Sequence, residues 1–272
     1  MATRVRAVRF ERELLEELER HLAADGEDLS RFVNAAVDRS LHGDERTVRP
    51  PEGLHAVPDL EPCAEGYRHA LLARDARRAR ALVEDAVHRG AAIVDVYGAV
   101  IEPALREIGE LWSLDEITVA QEHFATEATV QIIAALAPDR RLAATRGRLA
   151  VVGGSPDELH AIGARMVADV LERAGWEVIA LGAATPAEDL YALAAEEQPD
   201  LVALSTATIG RLPGAEEAVQ RLAALDPHPV IAVGGGLYTG GVGALAREWG
   251  AEIVTSDLRV LMGEIATRFP AV

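Results

Sequence analysis

Three short clusters hold the side chains that could do chemistry. The first is Glu158-Leu-His160-Ala-Ile-Gly163. In an extended segment, an acid and a histidine two positions apart point to the same side. A carboxylate that accepts one imidazole N–H fixes the tautomer and strengthens the other nitrogen as a metal donor. Gly163 would let a flat ligand or a neighbouring helix approach the backbone closely. The second cluster is split between Ser205-Thr206-Ala207-Thr208, whose hydroxyls suit a polar ligand tail, and Gly234-Gly235-Gly236, which clears space beside a buried group. The third is Trp112 followed, after nine residues, by Glu122-His123. A large flat indole there could shield a reactive bond from water. Each feature has an ordinary explanation when taken singly: a solvated loop histidine, a helix cap, a flexible turn, a core tryptophan or a satisfied core histidine. Gly153-Gly154 lacks the G-x-G-x-x-G spacing of a dinucleotide site.

The first two clusters sit where short apolar runs end. Leu149–Val152, Trp176–Leu181, Leu201–Leu204, Val230–Val233 and Ile253–Val254 read as strands. Helical segments at Ile162–Ala174, Ala187–Glu197, Ala215–Leu225 and Gly243–Glu248 separate them. This alternation predicts a parallel sheet with helices on both faces. The first three strands are nearly all apolar, as strands buried on two faces should be. Ligands of such sheets bind beyond the carboxyl ends of the strands. Loops 153–163, 182–186, 205–213 and 234–241 therefore form the expected rim.

The third cluster falls in a segment of helical periodicity, residues 63–141. Thr118-x-x-Gln121 is a capping box and starts a helix. Val119, His123, Thr126, Val130 and Ile133 then recur at helical spacing, which predicts one shared apolar face. The preceding helix, about Ala92 to Trp112, would bury Val100, Ala104, Ile108 and Leu111, with Tyr97 near that stripe. Pro103 lies inside it, so the helix either kinks or starts again there. Five residues, Ser113–Ile117, join the two helices, which predicts an antiparallel pair.

Residues 46–62 read as a Pro-rich linker. Before them, residues 1–45 read as a strand and two short helices. Residues 1–12 hold four Arg against one Glu, whereas residues 13–45 hold three Arg against ten acids. The whole chain of 272 residues has 27 basic against 44 acidic residues, a net charge of −17. That balance argues against a general nucleic-acid coat and an anionic membrane surface. The single cysteine, Cys63, excludes an intrachain disulfide framework. The start lacks a signal-peptide apolar region, and no apolar run is long enough to span a bilayer. A soluble cytoplasmic protein of about two domains is expected.

Together the clusters give a specific resemblance. The segment 147–272 resembles a cobalamin-binding domain, whose signature is acid-x-His-x-x-Gly, then a Ser element after the third strand and a Gly-Gly element after the fourth. The matching residues are Glu158, His160, Gly163, Ser205, Gly234 and Gly235, with Thr206 beside them. The resemblance implies that His160 is the lower cobalt ligand and that the displaced nucleotide tail fills a slot beside the sheet. Trp112 and Glu122-His123 resemble the Trp-x9-Glu-His signature of CarH-type light-dependent regulators, whose helical cap covers adenosylcobalamin. The resemblance covers about residues 64–270. It implies a four-helix cap at 63–141, followed by a flavodoxin-like doubly wound sheet at 147–272, an α/β plus all-α architecture. In this family a second histidine follows the tryptophan, and here that residue is Ser113.

What the resemblance implies about function is a non-enzymatic cobalamin photoreceptor. Light would cleave the Co–C bond, and the oligomeric state or the amino-terminal module would respond. The departure at Ser113 leaves open the related photocobilins, which add a bilin such as biliverdin. A corrinoid methyl-shuttle protein has a similar layout, and a regulator that senses cobalamin without light is a third reading. RVRAVRF with two helices resembles a ribbon-helix-helix module. Arg4, Arg6 and Arg9 could read DNA, or the module could serve only for dimerisation or partner docking.

Overall fold

The computed structural model describes residues 59–136 and 147–270. These belong to a compact unit spanning Val57–Val272, and Met1–Ala56 form a separate unit. The expected amino-terminal module, with Arg4, Arg6 and Arg9, lies outside the described residues, as does nearly all of the expected linker.

Helix α1 (Glu61–Leu72) starts inside the end of the expected linker, with Pro62 in its first turn. A proline is tolerated there because the first turn's N–H groups have no helical partner. Asp75 caps α2 (Ala76–His88) by accepting from the Arg78 N–H at 3.0 Å. Ala79, Val83 and Ala86 face the bundle core. The long helix is continuous: α3 (Ile93–Val96) runs through a π-helical turn, Tyr97–Ile101, into α4 (Glu102–Ser113). The Glu102 N–H bonds to the Tyr97 carbonyl, five residues back. The expected kink or restart at Pro103 is thus a widened turn, which makes room for a ring that would clash with the preceding turn. Helix α5 (Val119–Leu136) begins at the expected capping box, where Thr118 N–H donates to Gln121 Oε1 and Gln121 N–H to Thr118 Oγ1. A buried Tyr67 hydroxyl donates to Thr129 Oγ1 at 2.8 Å and pins α1 to α5, and Thr129 passes its own proton to the Ala125 carbonyl. Burial pushes the Tyr67 phenol up to about 12.

The buried face of α5 corrects one expectation. Ala125, Ala128, Thr129, Ile132 and Ile133 are buried, whereas Val119 and His123 are exposed. Apolar and small residues occur all round this helix, so spacing alone could not select the inward stripe.

Five parallel strands follow: β1 (Leu149–Gly154), β2 (Glu177–Gly182), β3 (Leu201–Ser205), β4 (Val230–Gly234) and β5 (Ile253–Thr255). Their spatial order is β2-β1-β3-β4-β5, the flavodoxin-like arrangement. The crossing helices are α6 (Ile162–Arg173), α7 (Ala187–Glu197), α8 (Leu212–Ala223), α9 (Gly240–Trp249) and α10 (Leu258–Arg268). Strand side chains alternate between faces. Ala150, Val152, Ala203, Ala232 and Ile253 pack under α6 and α10, while Val151, Val202, Leu204, Ile231 and Val233 pack against α7, α8 and α9. The apolar run of β2 is not buried on both sides: it is an edge strand and partly exposed throughout.

The helical cap and the sheet layer share one apolar seam. Met166 and Val170 of α6 belong to the bundle core, and Ile162, Leu258 and Met262 pack against it. No described helix is long and apolar enough to cross a membrane.

Candidate functional site

Backbone bonds lock the carboxyl ends of the strands into a rim. The Ser155 N–H donates to the Ser205 carbonyl and the Thr206 N–H to the Gly234 carbonyl. The loop after β1 makes a turn, Glu158 N–H to Ser155 carbonyl, with Asp157 at φ +61°. That turn carries Glu158 inward until only 1% of its side chain is exposed.

Glu158 then serves two loops. Its Oε1 accepts from the His160 backbone N–H at 3.0 Å and faces His160 Nδ1 at 2.5 Å. Its Oε2 accepts from the Ala207 N–H at 2.8 Å and the Thr208 N–H at 3.0 Å. Burial alone would raise its pKa, but the bonds from His160, Ala207 and Thr208 outweigh it and hold the carboxyl below its ordinary value. An ionised carboxylate can only accept, so Nδ1 carries the proton and Nε2 keeps its lone pair. The imidazole is 66% exposed. It is a rigidly oriented neutral nitrogen donor at the mouth of the rim.

Two glycines keep the rim open. A Cβ at Gly163 would lie 2.7 Å from Ser205 Oγ. At Gly235, with φ +123°, it would lie 2.2 Å from the Thr206 carbonyl oxygen. Thr206 itself is fully buried, and its hydroxyl links Ser155 at 2.6 Å to Tyr238 at 2.9 Å. It braces the ends of β1, β3 and β4 rather than facing outward. The sequence clusters gave no sign of the Ala207 and Thr208 amides or of Tyr238: backbone donors have no residue signature, and a lone tyrosine looks like core.

The cap brings its residues to the same end. Leu114–Thr118 reverse the chain between α4 and α5, so Trp112 lies near Glu122 and His123. Glu122 Oε2 faces His123 Nδ1 at 2.5 Å, and Thr126 donates to Glu122 Oε1 at 2.9 Å. Trp112 is 46% exposed rather than a core residue. The Ser113 hydroxyl donates to the Glu110 carbonyl at 2.7 Å. Beneath the cap, a cavity of about 410 Å³ separates the long helix from the turn after β5, lined by Gly98, Glu102, Arg106, Ser256 and Asp257 among others. Burial pushes the Glu102 carboxyl up, with Arg106 opposing and Asp257 adding to it.

An exposed nitrogen donor backed by a buried carboxylate, a glycine-cleared rim and an apolar lid residue define a metallo-tetrapyrrole class of site, and the donor set fits a corrinoid. A family model described as B12 binding domain matches residues 148–255, and a second of the same description matches residues 63–137. The chain is 30% identical over 215 residues to the HTH-type transcriptional repressor CarH of Myxococcus xanthus, covering 78% of this chain and 69% of that protein. The HTH-type transcriptional repressor CarA of the same organism is 34% identical over 139 residues, 49% of this chain and 44% of that protein. In fold, the chain is similar to the monomethylamine corrinoid protein of Methanosarcina barkeri, with a TM-score of 0.64 at 18% identity, covering 77% of this chain and 99% of that one. The chain belongs to the CarH-type family of cobalamin-binding proteins.

Proposed function

We propose that this protein is a cobalamin-dependent light sensor that regulates transcription or a partner protein. When bound, adenosylcobalamin supplies a cobalt–carbon bond that visible light breaks. His160 holds cobalt from below through Nε2, and Glu158 fixes the tautomer that makes this possible. Gly163, Ser205, Gly234 and Gly235 admit the ligand between the first and fourth strand ends. Trp112, with Glu122 and His123, excludes water from the upper side. Residues 1–45, with Arg4, Arg6 and Arg9, act as the output module, through DNA or through dimerisation.

The observation that supports this reading is the placement of two carboxylate-backed imidazoles, His160 and His123, with Trp112 at one end of the molecule. A corrinoid methyl-shuttle would need an open upper face for its methyltransferases, and the lid residues argue against that. CarH and CarA, both repressors by description, support a regulatory output.

The test is reconstitution of the full chain with adenosylcobalamin in darkness, followed by green light. A light-induced spectral change accompanied by a change in mass or DNA affinity supports the sensor. A methyl donor that rapidly methylates the bound corrinoid, with no response to light, would establish the shuttle instead.

A further inference from the structure

We propose that His123 is a second cobalt-ligating residue of this chain, the one that takes the upper axial position when no organic group occupies it. The inference rests on the cobalamin reading above and extends it to a residue that Ser113 cannot replace.

Three observations carry it. First, His123 repeats the chemistry of His160. Each ring has a glutamate oxygen 2.5 Å from Nδ1, each glutamate is bonded a second time to fix its own position, and each ring is mostly exposed, His123 by 72% and His160 by 66%. The proton is therefore held on Nδ1 and the lone pair on Nε2 in both rings. A surface histidine with no task does not need a carboxylate partner that is itself anchored by Thr126.

Second, the helices deliver both rings to one end. The Arg173 guanidinium donates to the Leu136 carbonyl at 2.6 Å, so the last turns of α5 and α6 meet. Helix α6 buries Ile162, Met166 and Val170 along the bundle, so the two helices lie side by side. From that tie, His123 is thirteen residues back along α5, about 20 Å at 1.5 Å per residue. Ile162, next but one to His160, is eleven residues back along α6, about 16 Å. His123 thus stands a few ångströms beyond the level of the His160 loop, on the cap side.

Third, the neighbouring residue has no ligand to offer. The Ser113 hydroxyl is spent on the Glu110 carbonyl, and a neutral hydroxyl is a poor donor to a trivalent transition metal compared with imidazole.

The step is a ligand exchange. With aquocobalamin, the Nε2 lone pair of His123 forms the Co–N bond as the bound water leaves. Cobalt remains trivalent, and no proton moves, because Nδ1–H stays with Glu122.

The experiment loads the full chain with aquocobalamin and removes the excess by desalting. The visible spectrum of the wild type should be that of a cobalt with imidazole on both sides, and added free imidazole should leave it unchanged. His123→Ala should keep water above, and free imidazole should bind there and restore the wild-type spectrum. Cyanide should displace the upper ligand at least tenfold faster in that variant, and a few-fold faster in Glu122→Gln. If wild type and His123→Ala take up imidazole and cyanide alike, the proposal is overturned while the cobalamin reading stands. If the wild type keeps no colour after desalting, or His160→Ala leaves cobalt ligation unchanged, the cobalamin reading falls and this proposal with it.

Discussion

The Tyr97 hydroxyl donates to the Asp169 carboxylate at 2.7 Å across the seam between the helical cap and the sheet layer. Arg173 donates from Nε to the same carboxylate at 2.6 Å and from its other end to the Leu136 carbonyl at 2.6 Å. One buried group therefore joins the helix that ends in Trp112, the helix that follows His160 and the helix that begins near His123. Burial, and then the charge of Asp169, push the Tyr97 phenol far above its ordinary value. It stays a donor across the physiological range. Tyr97 also opens the π-helical turn, so the tie acts where the long helix is already widened.

Tyr97→Phe keeps the ring and removes the hydrogen bond. Asp169 retains Arg173, so the loss is that of one bond to a charged group, about 1–2 kcal/mol. Urea unfolding should show this as a lower midpoint, and exchange of the α3–α4 amides should quicken. An unchanged midpoint and unchanged exchange would show that the tie carries no stability.

Glu158→Ala removes the acceptor shared by His160, Ala207 and Thr208. Cobalamin affinity is expected to fall about 10- to 100-fold, as for other residues that orient a metal-ligating histidine. Equilibrium dialysis measures it. Glu158→Asp, shorter by one methylene, cannot reach both loops from the same backbone and should give an intermediate loss.

The Glu158 carboxyl has a native pKa below its ordinary value of 4.5. Its contribution to stability is therefore fully present above pH 4.5 and is lost as the pH falls through the lower native value. The stability gap between wild type and Glu158→Gln should be constant from pH 5 to 8 and close on the acid side. A gap that widened below pH 4.5 would reverse the sign of the argument.

Gly163→Ala would press a methyl group to 2.7 Å from Ser205 Oγ. Ser205→Ala removes that oxygen, and the Ser205 Cβ is 3.7 Å away. The single Gly163→Ala variant should lose about 1–3 kcal/mol of stability by overpacking, and the double variant should recover most of it. Thermal unfolding of the four combinations measures the coupling.

Trp112 is 46% exposed, so Trp112→Ala should change stability by less than about 1 kcal/mol. Its effect should appear only with the coenzyme form bound. Weaker retention of adenosylcobalamin, with retention of aquocobalamin unaltered, is the expected pattern in dialysis.

The sequence by itself determined the architecture. Apolar runs of strand length alternating with amphipathic helices admit few solutions other than a parallel sheet covered on both faces, and Thr118-x-x-Gln121 marked the start of α5 because capping is a local interaction. The rim was also legible, since Glu158, His160, Gly163, Ser205 and Gly235 all fall at strand ends, where the topology must gather them. Only the tertiary structure decided which partners those side chains have. It placed β2 at the edge despite its apolar run, and it turned His123 outward on a helix whose small residues hide the inward stripe. It also set Thr206 to bracing Ser155 and Tyr238, and delivered two backbone amides to Glu158 from a loop some fifty residues away. Spacing along a chain fixes which residues share a face. Which face meets the core, and which donor meets a given carboxylate, is set by contacts between segments that local periodicity does not encode.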